Sequence, residues 1–182
     1  MSSWMRATPI LAHAQLRIHK SFTVSRAGSA KLERMETKRL ASQLRRSYEG
    51  QAWHGPSLRE LLDGVTSEQA AAKPVSGAHS ILELVLHVTA WEREALAVVE
   101  GKKYETLAGE QDWPPVQGTW ETTVAELGTV TQALVAAVRA MPEEKLNESA
   151  GGAEYHFYFL LHGVVQHNLY HAGQIAILKR AL

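Results

Sequence analysis

The sequence predicts an all-α fold: an antiparallel four-helix bundle with a short additional helix and one long connection. Three observations carry this expectation. Apolar residues recur at alternating steps of three and four over long runs, which is the period of one helix face. No segment shows sustained period-two alternation with β-branched enrichment, the mark of a strand. Loops marked by glycine and proline separate the runs, as they would between helices lying side by side. With 182 residues and 45% hydrophobic composition, the chain can build one domain with a real core.

Residues 1–34 read as a basic N-terminal extension, apart from a helical domain over 35–182. Arg6, Arg17, Lys20, Arg26, Lys31 and Arg34 face a single acid, Glu33. Two readings stand. One is a disordered extension or a start assigned too early, since Met35 is a natural opening for the domain. The other is a targeting segment, because basic, serine-bearing and nearly acid-free stretches resemble mitochondrial transit peptides. No apolar run with a cleavage site is present, so secretion is not expected.

The first helix begins after Met35, with Leu40 and Leu44 one turn apart, and breaks at Gly50. The loop AWHGPS leads into a short amphipathic helix, SLRELLDGV, with Pro56 suited to its start. The segment TSEQAAAKPVSGAH reads as a loop. Ser80 and Glu83 then have capping-box spacing. Ile81, Leu84, Val88, Trp91, Ala95 and Val98 form the seam of the next long helix, which Gly101 ends. Residues 102–119 form a long connection containing Trp113-Pro114-Pro115. A loop of this length is often functional or crosses a bundle. The third long helix runs over about 120–141 with Val124, Leu127, Thr131, Leu134, Val138 and Met141 in rhythm. The last starts near Tyr155 or Tyr158 and runs almost to Leu182.

Composition excludes several function classes. Lysine plus arginine equals aspartate plus glutamate, 19 each, so no general drive toward nucleic acid or acidic membranes exists. Lys38, Arg39, Arg45 and Arg46 cluster on the first helix, where a solvated face is the expectation. There is no cysteine, hence no disulfide, thiolate ligand or cysteine nucleophile. That fits a reducing compartment, and a cytoplasmic location is expected. No run of about eighteen apolar residues could span a membrane.

The chemistry concentrates in the last helix. Phe157, Leu160, Val164, His167, His171, Gln174 and Leu178 keep the three–four spacing, so two histidines and a glutamine interrupt an apolar stripe. Burying an imidazole without a partner costs about 2 kcal/mol or more, so something must satisfy them. One reading is core histidines hydrogen-bonded to neighbours. The other is a divalent metal, since imidazoles at i and i+4 can share one ion. The gap in the seam favours the metal. His87, beside the seam of the second long helix, is a candidate third ligand, and Glu94 shares its face. An all-imidazole set suits zinc, nickel or ferrous iron, with a fourth position open to water or substrate. The residues between His167 and His171 are Asn168, Leu169 and Tyr170, so the HExxH peptidase pattern is missing.

The remaining candidates carry weaker expectations. His54 could line the site mouth but more often such a loop residue is exposed. His79 is expected at the surface and His162 off the ligand face. His156 lies about 16 Å along the axis from His167, too far to share an ion. Trp91 and Tyr170 read as packing residues, Glu94 and Gln174 as partners of the ligands or of solvent. His13 and His19 belong to the extension.

The segments ILELVLHVTAWERE and HGVVQHNLYHAGQIAILKRAL resemble the DinB superfamily, the DinB/YfiT-like metal-dependent proteins, and WHGPSLRELL resembles the start of many members. The likeness covers about residues 35–182, and HNLYHAGQI is its most specific part. It implies a four-helix bundle with a histidine triad on a divalent metal, often in a homodimer. Its three ligand positions correspond to His87, His167 and His171. Some relatives are S-transferases or isomerases that use a low-molecular-weight thiol. The expectation is therefore a metal-dependent enzyme acting on a small molecule, of thiol S-transferase or hydrolase type, with Glu94 as a speculative catalytic base. The alternative is a non-catalytic, metal-stabilised helical dimer with a stress-associated role.

Overall fold

A computed structural model describes residues 35–182. The expectations for the basic extension, His13 and His19 lie outside the described residues. The elements are α1 (Glu36–Tyr48), α2 (Leu58–Leu62), α3 (Ser67–Ala71), α4 (Ile81–Val99), α5 (Trp120–Ala140), a 3₁₀ turn (Glu143–Asn147) and α6 (Phe157–Ala181). Among the described residues there is no β-strand, and no helix is long and apolar enough to cross a membrane.

Local chemistry explains the element boundaries. Ser57, Thr66 and Ser80 each close a capping box, with Glu60, Gln69 and Glu83 reaching back. The Thr66 box nucleates α3 inside a segment expected to be a loop, and Ala70 of that helix is fully buried. Gly101 ends α4 at φ 102°, the left-handed region where glycine is favoured. The α1 N-terminus is capped from a distance. The Glu143 carboxylate accepts the Thr37 amide and hydroxyl at 3.1 and 2.7 Å, tying α1 to the 3₁₀ turn.

The four long helices close a ring in the order α1, α5, α4, α6. Cross-helix pairs give their directions. Tyr48 meets Gly128 while Thr37 meets Glu143, so α1 and α5 run antiparallel. His87 meets His171 while Val98 packs near Phe157, so α4 and α6 are antiparallel too. By contrast Arg93 pairs with Glu126 while Val98 packs near Val138, so α4 and α5 run parallel. The connection over 102–119 makes this possible, because it carries the chain back along the bundle before α5 begins. It is pinned at two points: Tyr104 donates its amide to the Gly151 carbonyl, and Asp112 accepts from Trp91 Nε1 on α4.

Two apolar clusters fill the bundle. One contains Leu40, Leu44, Ala95, Val98, Leu134, Val138, Phe157 and Leu161. The other contains Tyr48, Ile81, Leu84, Val88, Leu127, Ala172, Ile175 and Leu178. Between them each long helix contributes one buried polar residue: Ser47, Thr131, Glu92 and Asn168. Asn168 Nδ2 donates to Glu92 Oε1 at 2.7 Å and to Ser47 Oγ at 3.1 Å. Thr131 Oγ1 lies 2.5 Å from Glu92 Oε2 and 2.9 Å from the Leu127 carbonyl. A hydroxyl has one proton for these two acceptors. If Thr131 donates to Leu127, a protonated Glu92 supplies the second hydrogen bond. Burial agrees, pushing the Glu92 carboxyl up to about 7.

The expected seam holds on α4 apart from Trp91 and on α5 apart from Val124, whereas on α6 three of its seven positions lie off the buried stripe. On α6 the buried stripe is Phe157, Leu161, Val164, Asn168, His171, Ile175 and Leu178. Leu160, His167 and Gln174 are only half-buried at its edge. On α4 the stripe passes through Glu92, fully buried, while Trp91 is half-buried.

Candidate metal centre

Two helices and one loop assemble the site. His87 projects from the second turn of α4, and His167 and His171 from adjacent turns of α6. Because α4 and α6 are antiparallel neighbours, all three rings meet. His167 Nε2 lies 3.0 Å from His87 Nε2 and 3.1 Å from His171 Nε2. Among the described residues these three form the one group of His, Asp and Glu side chains close enough to share an ion.

The outward nitrogens decide what the inward ones can do. His87 Nδ1 is 2.7 Å from the Asp112 carbonyl, which can only accept, so Nδ1 carries the proton. His171 Nδ1 donates likewise to Gln174 Oε1 at 2.6 Å. Both Nε2 atoms therefore present bare lone pairs. A proton on His167 Nε2 could serve one of them, leaving the other lone pair without a donor of its own. A cation among the three nitrogens satisfies all of them, and ideal tetrahedral coordination places zinc ligand nitrogens about 3.3 Å apart, close to the spacing here. The residues present thus fit a divalent metal. His167 Nδ1 is buried without a hydrogen-bond partner.

Electrostatics suit the same role. Burial first, then the His171 and His87 rings, push the His167 imidazole down to about 3. Burial likewise lowers His171, against the hydrogen bond from its own ring to Gln174. Neutral imidazoles need not shed protons to bind a metal. The Asp112 carboxylate adds negative charge nearby, with Oδ1 3.2 Å from His87 Nδ1.

The long connection supplies what sequence reasoning missed. Asp112 orients His87 through its carbonyl and accepts from Trp91 Nε1 at 2.7 Å through its carboxylate. Trp91 is thus a tether as well as a packing residue. Trp113 stacks on His87 with centroids 4.1 Å apart, and His79 stacks on Trp113 at 3.5 Å. The length of the connection was the available signal; no periodicity in a loop says which residue turns inward.

Of the other candidates, Gln174 touches the triad, whereas Glu94, His54, His79, His156 and His162 do not contact it directly. Glu94 accepts the Glu105 amide at 2.9 Å, which anchors the connection where it leaves α4. Gln174 is the outer partner of His171. His54, His79 and His156 are exposed, and His162 packs on Tyr158. Lys38, Arg39, Arg45 and Arg46 are exposed as a solvated helix face. A cavity of about 440 Å³ borders His171 and Gln174.

Comparison with curated proteins returned no match. The family model of the DinB superfamily matches residues 52–175, more than half of the chain and a span containing all three histidines. The chain belongs to the DinB superfamily.

Proposed function

We propose that this protein is a metal-dependent enzyme of the thiol S-transferase or hydrolase type. His87, His167 and His171 would hold the ion, zinc or nickel in preference and iron as a further candidate. The observation that carries the reading is the convergence of three Nε2 atoms with no fourth ligand beside them among the described residues. A three-ligand site leaves a coordination position for water or substrate, whereas structural sites are closed by four.

A bound divalent ion supplies Lewis acidity, which lowers the pKa of water or of an external thiol toward neutrality. The rest falls to the chain. Asp112 and Gln174 hold protons on the outward nitrogens, which fixes both tautomers and aims the lone pairs inward. Trp113 covers one face of His87 and excludes water from it. Glu94 enters as a positioning residue, holding Glu105 and so the connection, because its carboxylate is engaged there. With no cysteine in the chain, a reacting thiol would come from a cosubstrate.

The test is a thiol-conjugation and hydrolysis panel on metal-reconstituted protein without an affinity tag, with His87→Ala as control. Turnover that the variant lacks supports the reading. A cobalt-substituted protein whose visible spectrum ignores added thiols and small anions would contradict it, because the fourth position would then be closed.

A further inference from the structure

The cavity beside His171 has a composition that defines its ligand. Tyr170, Gln174 and Ile177 stand at i, i+4 and i+7 on α6 and form one wall with His171. Val75, from the loop before α4, and Trp113, from the long connection, also line it. No aspartate, glutamate, lysine or arginine lines the cavity. Of its polar groups, the Gln174 carbonyl is taken by His171 and His79 Nδ1 lies 3.3 Å from the Glu83 carboxylate, and no arginine or lysine is there to anchor a phosphate or carboxylate.

Exposure says the same. Val75 is 43% exposed, and Tyr170 and Ile177 are each 66% exposed, so large apolar surface surrounds one opening. The volume lies within the range of about 300–1,000 Å³ usual for small-molecule sites and is too small for a folded partner.

We propose that this cavity binds an uncharged apolar group of the substrate, a small aromatic or branched aliphatic one, with the polar head turned toward His171. The proposal rests on the metal reading above for the head and on the cavity alone for the body. Specificity is then set by Val75, Trp113, Tyr170 and Ile177 rather than by a charged anchor.

Two titrations separate the parts. Metal-free protein is titrated with the neutral fluorophore N-phenyl-1-naphthylamine, and zinc-loaded protein with benzohydroxamate and acetohydroxamate by calorimetry. The expected results are saturable probe binding and at least about a tenfold preference for benzohydroxamate, equivalent to ~1.4 kcal/mol. Ile177→Asp and Val75→Asp, both at exposed positions, should abolish probe binding and erase the preference while zinc uptake persists. Equal hydroxamate affinities on zinc-loaded protein, or variants that bind the probe like the parent, overturn the proposal. Saturable probe binding without zinc uptake supports the cavity and contradicts the metal reading.

Discussion

The bundle interior holds two polar insertions that share one pair of helices, α4 and α6, and they are finished differently. The layer of Glu92, Asn168, Thr131 and Ser47 is knitted together by hydrogen bonds from four helices. The histidine triad brings three Nε2 atoms together that cannot satisfy one another. In the first case protein groups supply most of the partners, a protonated Glu92 among them when Thr131 donates to Leu127, with the Asn168 Oδ1 left buried without one. In the second the outward nitrogens are satisfied on two rings, while the inward ones are spaced to share a cation. A buried polar group completed by the protein specifies helix register. One left incomplete beside a cavity points to a ligand.

The largest effect that sharpens this contrast is loss of Glu92. Glu92→Ala should destabilise the fold by about 2–4 kcal/mol, since it leaves a cavity and strands Asn168 and Thr131. Glu92→Gln should cost about 1 kcal/mol, because an amide can donate to Thr131 and accept from Asn168 as the neutral acid does. Urea denaturation measures both. Equal costs for the two variants would break the account of a neutral carboxyl.

Metal gives the mirror experiment. Zinc at a hundred times its dissociation constant should stabilise the folded chain by about 2.7 kcal/mol, and the Glu92 variants should keep that increment. His171→Ala should lose it. An increment that survives in His171→Ala would place the ion elsewhere.

The two insertions also titrate in opposite senses. Glu92 is raised from 4.5 to about 7 in the folded chain. Its contribution is full below pH 4.5 and is lost as pH rises through 7. His167 is lowered from 6.5 to about 3, so its contribution is full above pH 6.5 and is lost as pH falls toward 3. In metal-free protein, the stability advantage of the parent over Glu92→Gln should shrink between pH 4.5 and 7. A pH-independent difference would contradict the shift. Zinc should steepen the acid-side loss, since protons and metal compete for the same imidazoles.

The smallest effect concerns the connection. Asp112→Ala keeps the carbonyl that orients His87 but removes the bond from Trp91 and the nearby charge. Metal affinity should weaken by about tenfold, the lower end for such outer partners. Competition against a chromophoric chelator reads this directly.

The bundle and the pair His167 and His171 were legible in the sequence through helical period and residue type, and His87 joined them through the family resemblance. The seams of α4 and α5 were legible too, apart from Trp91 and Val124, but the phase of the α6 seam was not. On α6 the sets Phe157, Leu160, Val164, His167, His171 and Phe157, Leu161, Val164, Asn168, His171 are both three–four runs, and they share every second member. Only the neighbouring helices decide between them, and they buried Asn168. On α4 hydrophobicity favoured Trp91 over Glu92, yet Glu92 is the buried residue because Thr131 and Asn168 face it. Asp112 and Trp113 were out of reach for a simpler reason: contacts from an aperiodic loop are set by where the crossover closes over α4.

The most direct test of the central claim is elemental analysis of tag-free protein, alongside His87→Ala, His167→Ala and His171→Ala. One divalent ion per parent chain is expected, with loss of that ion in each variant that remains folded by circular dichroism. A folded parent chain that takes up no zinc, nickel or iron would contradict it.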